Sequence, residues 1–585
     1  MSDVFDPAAL KAKYLTERDK RLHARGKEQY QVTDGAFGHY LDDPYVPPIV
    51  REAILRDIDV LVIGGGFGGL LAAGRLREAG VDDILVVEKG GDFGGTWYWN
   101  RYPGAQCDIE SYVYMPLLEE LGYVPTLKYA FGPEILEHSR AIGRKFDLYP
   151  RTLFQTEVTD LSWDGATSRW IATTNRGDKL RARFVAMSTG PLHRPKLPGI
   201  PGIETFEGHS FHTSRWDYEY TGGDHQGGLT GLADKRVGII GTGATAIQAV
   251  PHLGQAAKHL YVFQRTPSSV DERRNRPTDE GWKRGLDAGW QQARMDNFNQ
   301  LVSGGQADVD LVDDGWTKAL RRNTQGSPAE MEAARQLADF RKMEEIRARV
   351  DREVHDPATA AALKPWYNQM CKRPTFNDDY LPTFNRPNVT LVDTEGRGVD
   401  RVTPTGVLVG DVEYEIDCLI YATGFEFQTS FARRAGYEIH GRGGLPLSDK
   451  YKDGALTLYG VHTRDFPNCF ILGNAQQANT PNFTHMLNEV SRHIAYVVRN
   501  ALDRQVKTVE PTVAAEQAWL ADVMSFANMR RAFDEECTPG YYNNEGMPND
   551  LAVRNNFYGG GSLAFIKLLN DWRAAGDMAG LELKA

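Results

Sequence analysis

Two glycine-rich turns in this chain are followed, at the same distance, by side chains of opposite charge. Gly64-Gly65-Gly66-Phe67-Gly68-Gly69 satisfies the pattern GxGxxG. In such a turn the first glycine (Gly64) permits the tight bend and the second (Gly66) lets the backbone approach a pyrophosphate. The third (Gly69) lets helix and strand pack closely, and the helix N-terminus supplies amide donors. Glu88 stands 19 residues beyond Gly69. A carboxylate there accepts hydrogen bonds from a ribose diol and repels a 2′-phosphate, so this turn is expected to take FAD or NAD rather than NADP. The second turn, Gly241-Thr242-Gly243-Ala244-Thr245-Ala246, is a GxGxxA variant with Arg265 19 residues beyond Ala246. A guanidinium offers forked donors and permanent charge to a 2′-phosphate. The pair predicts FAD at the first turn and NADPH at the second.

The elements around these turns have the required order. Ile58 to Ile63 and Ile84 to Glu88 are short, apolar, β-branched runs that flank the helix-like LLAAGRLREAG. Arg236 to Ile240 and Leu260 to Gln264 flank ATAIQAVPHL in the same way. Both read as βαβ units, so the fold class is α/β with two Rossmann-like dinucleotide-binding domains. Between about 279 and 365 the sequence is rich in Glu, Arg and Ala (KALRRN, MEAARQLADFRKMEEIRARV, ATAALK), which predicts a helical insert. The strand-then-TG segments FVAMSTG and CLIYATG mark places where the chain crosses between nucleotide domains. The expected organisation is an N-terminal extension over 1–50, packed on the outside. An FAD domain follows over 51–195 and 388–585, an NADP domain over 196–275 and 366–387, and the helical insert over 276–365.

Composition narrows the class. At 585 residues the chain is long enough for two to four domains, and 41% hydrophobic with 25% charged residues is a globular balance. A net charge of -11 argues against a general affinity for nucleic acid or anionic lipid. Cys107, Cys371, Cys418, Cys469 and Cys537 are far apart, odd in number and without a CxxC pair. Neither a disulfide scaffold nor a thiolate metal site is expected, and a reduced, cytoplasmic compartment fits best. No metal is called for. The charged N-terminus lacks the apolar stretch of a secretory signal, and the run from Ile58 to Ala73 is broken by glycines and too short to span a bilayer.

More specific motifs lie between and beyond the turns. Residues 206–217 read FEGHSFHTSRWD, in which Phe206, Gly208, His212, Trp216 and Asp217 match FxGxxxHxxxW followed by Pro or Asp. That pattern resembles the fingerprint of the type I Baeyer–Villiger monooxygenases, which are class B flavoprotein monooxygenases. The resemblance covers roughly residues 50 to 585. It extends to GGTWYWNRYPG at 94–104 with Asp108 after it, where Gly95, Thr96 and Trp97 would line the flavin. By the same resemblance Lys372 joins Arg265 and Thr266 at the 2′-phosphate, and Gln248 joins the coenzyme contacts. Arg373 is the implied active-site arginine and Asp108 its acid partner. The chain departs from the family at Tyr541, where many members carry Trp. The long N-terminal segment and TGGDHQGGLTGLADKR resemble members that accept large-ring or polycyclic ketones.

The resemblance implies that NADPH reduces the flavin, that reduced flavin captures O2 as a C4a-peroxyflavin, and that a ketone becomes an ester or lactone. Arg373 would favour the anionic peroxide, and retained NADP would shield it from water. His212, in an interdomain linker, is expected to act as a hinge or positioning residue. Two other readings stay open. An N- or S-oxidising flavin monooxygenase shares both cofactors, and a non-catalytic FAD/NADP redox sensor shares both turns. A disulfide reductase shares the folds but needs a redox cysteine pair. Loops 425–445, 476–488 and 540–560 are expected to shape the ketone pocket.

Overall fold

The computed structural model describes residues 5–320, 327–427, 429–473 and 475–585, and Arg321 to Asn323 of the predicted helical segment KALRRN fall outside them. Leu55–Ile63 pairs in parallel with Ile84–Val87 on one side and with Lys179–Met187 on the other. Thr152–Leu153 and Cys469–Ile471 extend the parallel part, and Val158–Asp164 and Arg169–Thr174 add an antiparallel meander. Val60 to Ile63 are all buried, as an uninterrupted apolar run requires when both faces of a parallel sheet are covered. The helix Phe67–Glu78 covers one face and packs against the long helix Phe483–Asp503, with Leu70, Leu487, Val490 and Ile494 in one core.

A second sheet repeats the plan with five parallel strands, ordered Val389–Asp393, His259–Gln264, Arg236–Ile240, Cys418–Tyr421 and His209–His212. Its helix Ala244–Ala256 starts directly after the second glycine turn. This pairing corrects one expected boundary. The strands at 389–393 and 418–421 hydrogen-bond into the second sheet, not the first, so residues 388 to about 424 belong with the NADP-type unit. Each is a short apolar strand whose sequence carries no mark of its partner.

The regular structure described in the region 276–365 is helical. Glu280–Arg284, Trp290–Val302, Gly315–Leu320, Pro328–Glu353 and Pro357–Leu363 follow in turn. The longest of these begins with a capping box in which Ser327 and Glu330 satisfy each other's backbone amides, with Pro328 in the first turn. Its inner face contributes Met343 and Ile346 to a small core with Tyr367, Cys371 and Cys537.

Cys371 and Cys537 form a disulfide across 166 residues of sequence, with Cα atoms 5.1 Å apart. The expectation that the cysteines form no disulfide framework did not foresee this single bond. Spacing along the chain could not reveal a contact made only by folding. Cys107, Cys418 and Cys469 are free and buried. Among the described residues no helix is long and apolar enough to cross a membrane.

Candidate active site

Both glycine turns open into one cavity of about 1150 Å³, above the roughly 300–1,000 Å³ usual for a single small-molecule pocket. Gly64, Gly66, Gly241 and Gly243 line it, as do Asp108 and Arg373. The turns sit at the carboxyl ends of parallel strands, where open α/β sheets bind ligands.

At the first turn Gly64 has φ +107°, and a side chain there would collide with the Ser188 carbonyl. Gly66 caps the helix N-terminus, and a Cβ on it would stand 3.3 Å from the Gly95 Cα. Gly94 N donates to Gly65 O at 3.0 Å, so the TWYW segment is tied to the turn. Thr96 opens that short helix, and Trp97 Nε1 donates to the Tyr114 hydroxyl at 3.0 Å. Glu88 is buried, and its carboxylate accepts from Gly65 N and, at 2.6 Å, from Gly90 N. Burial raises its carboxyl, and the two amide donors act against that rise.

The second turn differs in one informative way. Gly241 has φ +114° and abuts the Ala422 carbonyl, but a Cβ on Gly243 would meet nothing within 4 Å. The space beside Gly243 is therefore open to a ligand and not filled by the chain. Ala246 packs fully buried one turn into the helix. Thr242 Oγ1 donates to Thr266 O at 2.7 Å, which fixes the strand end beyond Arg265. Thr266 Oγ1 is buried without a hydrogen-bond partner, a donor free for a phosphate oxygen. Arg265 Nη1 donates to Gln29 Oε1 at 2.8 Å. Lys372 Nζ lies 3.5 Å from Pro539 O, and burial followed by the nearby Arg265 charge lowers its ammonium to about 8. Gln248 accepts from the Tyr102 hydroxyl at 2.8 Å and donates to Gln106 O at 3.0 Å, linking the second helix to the first domain.

Between the turns Arg373 and Asp108 form a forked pair, Nε to Oδ2 at 3.0 Å and Nη2 to Oδ1 at 2.7 Å. Burial works against the guanidinium's charge, but the Asp108 carboxylate outweighs it and holds Arg373 above its ordinary range. Trp316 from the helical insert stacks under the same guanidinium at 5.2 Å and donates to Asp108 O at 3.1 Å. Tyr541 lies 4.4 Å ring to ring from Tyr542 and 5.1 Å from Phe427, in the wall beside Arg373.

The fingerprint residues are placed elsewhere. Phe206, Gly208, His212, Trp216 and Asp217 do not line the cavity. His212 ends the edge strand of the second sheet opposite Tyr421, and its Nδ1 accepts from Ser214 N at 3.2 Å. Burial, then the Arg215 charge, lowers its imidazole to about 3, so it is neutral at ordinary pH. Trp216 is buried and donates from Nε1 to Thr221 Oγ1 at 3.1 Å. Asp217 caps the next helical turn through Tyr220 N at 3.0 Å and reaches His209 at 2.9 Å.

The part of the cavity wall beside Arg265 was not foreseen. The N-terminal segment is not an outer wrap. His23, Gln29 and Tyr30 line the cavity beside Arg265, and Tyr30–Gln31 pairs with Leu197–Pro198 as a small antiparallel ladder. Lys196 Nζ sits 3.7 Å from the Tyr30 ring. No local motif marks these residues, since their role depends on the chain returning to the coenzyme site.

A family model described as pyridine nucleotide-disulphide oxidoreductase matches residues 61–280, a stretch that excludes both Cys371 and Cys537. The chain is 55% identical to neopentalenolactone D synthase from Streptomyces avermitilis, over 99% of each protein. It is 51% identical to a Baeyer–Villiger monooxygenase from Streptomyces coelicolor, over 97% of this chain and 95% of that protein. This chain belongs to the Baeyer–Villiger monooxygenases. The solved polycyclic ketone monooxygenase from Thermothelomyces thermophila overlays it with a TM-score of 0.92 at 41% identity, covering 99% of both chains. A second solved structure, OTEMO in complex with FAD and NADP, overlays with a TM-score of 0.74 at 28% identity, over 90% of this chain and 99% of that one. The chain is accordingly an FAD- and NADP-dependent flavoprotein monooxygenase with two Rossmann-type folds. The Gly64 and Gly241 turns, the open space beside Gly243 and the orphan hydroxyl of Thr266 fit those two cofactors.

Proposed function

We propose that this Baeyer–Villiger monooxygenase converts bulky cyclic ketones to esters or lactones in the cytoplasm, with FAD at the Gly64 turn and NADPH at the Gly241 turn. The observation that carries the assignment is the Arg373–Asp108 pair, set in one cavity with both glycine turns. Bound FAD would pass the reducing power of NADPH to O2 and supply one oxygen atom to the ketone.

The chain's own residues do the rest. Asp108 locks the Arg373 guanidinium by two parallel hydrogen bonds, so its cation needs no reorganisation as negative charge grows on the reacting oxygens. Tyr541 and Tyr542 wall that point and help exclude water. Arg265, Thr266 and Lys372 would hold the 2′-phosphate, and Gly243 would let the pyrophosphate approach the helix N-terminus. His212 serves as a neutral positioning residue at the end of the edge strand. Preference for large rings is supported by the overlay with an enzyme named for polycyclic ketones.

A panel of cyclohexanone, macrocyclic, fused-ring, steroid and open-chain ketones, scored by NADPH depletion and product mass, tests the reading. Fused-ring or macrocyclic lactones should form fastest. Oxygenation of a tertiary amine with no ester from any ketone would overturn it.

A further inference from the structure

Beside Arg265 the chain supplies an anion of its own. Glu545 is 3% exposed, yet it lies among cations, with Lys196 Nζ at 3.7 Å and Arg265 Nη2 at 3.7 Å. Its Oε2 accepts no hydrogen bond although it is buried. Burial alone would raise this carboxyl, but the charges of Lys196, Arg265 and Lys372 reverse the effect and lower it. A buried carboxylate with an unfilled acceptor, facing the cations expected to grip a 2′-phosphate, stands where that phosphate has its interactions.

The segment that presents it is built for the purpose. Asn544 and Glu545 both take the left-handed conformation, each at φ 56°, which ordinary side chains adopt rarely. Asn543 holds them there. Its amide donates to Asp534 O and Cys537 O, each at 3.1 Å, and its Oδ1 accepts from Gly540 N at 3.0 Å and Gly546 N at 3.1 Å. The Cys371–Cys537 disulfide ties the start of this loop to the residue preceding Lys372. The Glu545 loop and Lys372 are thus fastened to one another on a short tether.

We propose that Glu545 is a resident competitor of the NADPH 2′-phosphate, neutralising the Lys196–Arg265–Lys372 cluster until the phosphate displaces it. This rests on the assignment of NADPH to the Gly241 turn. In the empty site the carboxylate keeps three cations from repelling one another. On binding, the dianionic phosphate outcompetes the single charge, and on release the carboxylate returns. A coenzyme without the 2′-phosphate does not displace it, so Glu545 limits how tightly NADP+ is held and leaves the affinity for NAD+ nearly unchanged.

The test is equilibrium binding of NADP+, NAD+ and 2′-AMP to the FAD-loaded enzyme and to Glu545→Gln and Glu545→Asp, with flavin content as the check on folding. Glu545→Gln should lower the Kd for NADP+ and 2′-AMP about tenfold and leave NAD+ within twofold, while Glu545→Asp stays near wild type. An unchanged or weaker NADP+ affinity in a flavin-replete Glu545→Gln protein overturns the proposal, as does equal tightening toward NAD+. If that variant loses its flavin, hydrogen exchange of residues 540–547 in the unaltered holoenzyme decides instead. NADP+ should change exchange there and NAD+ should not, and identical responses would rule out displacement. Failure of the wild-type enzyme to bind NADP+ at all would instead strike the coenzyme assignment.

Discussion

At the scale of single residues, Arg373 and His212 illustrate two opposite uses of burial. Arg373 is kept charged by Asp108, and a fixed cation next to developing negative charge is worth on the order of 3 kcal/mol in sites of this kind. Arg373→Ala should keep its bound FAD and its yellow colour while ester formation drops by at least about a hundredfold. Product formation at the wild-type rate would remove Arg373 from the chemistry. His212 is instead kept neutral, lowered to about 3 by burial and Arg215. Below about pH 6.5 the unfolded chain takes up a proton at this residue that the folded chain refuses, so stability falls as pH drops from there toward 3 and is fully present above it. Between pH 7 and pH 5 that amounts to about 2 kcal/mol. His212→Gln should narrow the wild-type difference in unfolding midpoint between those two pH values. It should leave the limbs of the pH–rate profile in place, and a shifted limb would make His212 a proton-transfer group.

At the scale of elements, the two glycines of the second turn separate what the fold needs from what the coenzyme needs. Gly241 has a left-handed φ and abuts the Ala422 carbonyl, so Gly241→Ala should destabilise the second sheet and reduce soluble holoenzyme. Gly243 has open space around its Cα. Gly243→Ala should melt within a degree or two of wild type yet bind NADP+ about tenfold more weakly, because the added methyl takes the room of the pyrophosphate. Equal NADP+ affinity would place the nucleotide elsewhere. These turns were legible in the sequence because each is a local grammar of strand, glycine, helix and terminal charge. The strand at 418–421 was visible in CLIYATG but not as a member of the second sheet, since sheet partners are chosen by three-dimensional packing. The same reason hid Glu545, which lies in the 540–560 loop expected to shape the ketone pocket and not the coenzyme site, and the Cys371–Cys537 link, whose ends lie 166 residues apart. Arg373 and Asp108 were legible only through family resemblance, for nothing in their local sequence brings them within 2.7 Å of each other.

At the scale of the whole molecule, the N-terminal segment joins three parts that the glycine turns alone would leave independent. Its helix Pro7–Asp19 sets Leu10 and Tyr14 against Phe340 of the insert, and Arg18 Nη1 donates to Glu535 O at 2.7 Å beside the late loop. It then runs to the coenzyme site, where Arg21 Nε donates to Arg265 O at 3.2 Å and Gln29 accepts from Arg265 Nη1. Tyr30 lies under Lys196. A cation over an aromatic face contributes about 0.5–2 kcal/mol, and a hydrogen bond to a charged group about 1.5–3 kcal/mol. Both interactions hold the phosphate-binding cations in place before the coenzyme arrives, so losing them costs preorganisation and not charge. The double variant Gln29→Ala, Tyr30→Ala should therefore raise the Kd for NADP+ by about tenfold or more while FAD, bound at the other turn, is retained at full occupancy. A titration followed by flavin absorbance checks both at once. An unaltered NADP+ affinity would reduce the segment to a surface wrap, and loss of FAD along with NADP+ would show that it braces the fold as a whole and not the coenzyme site.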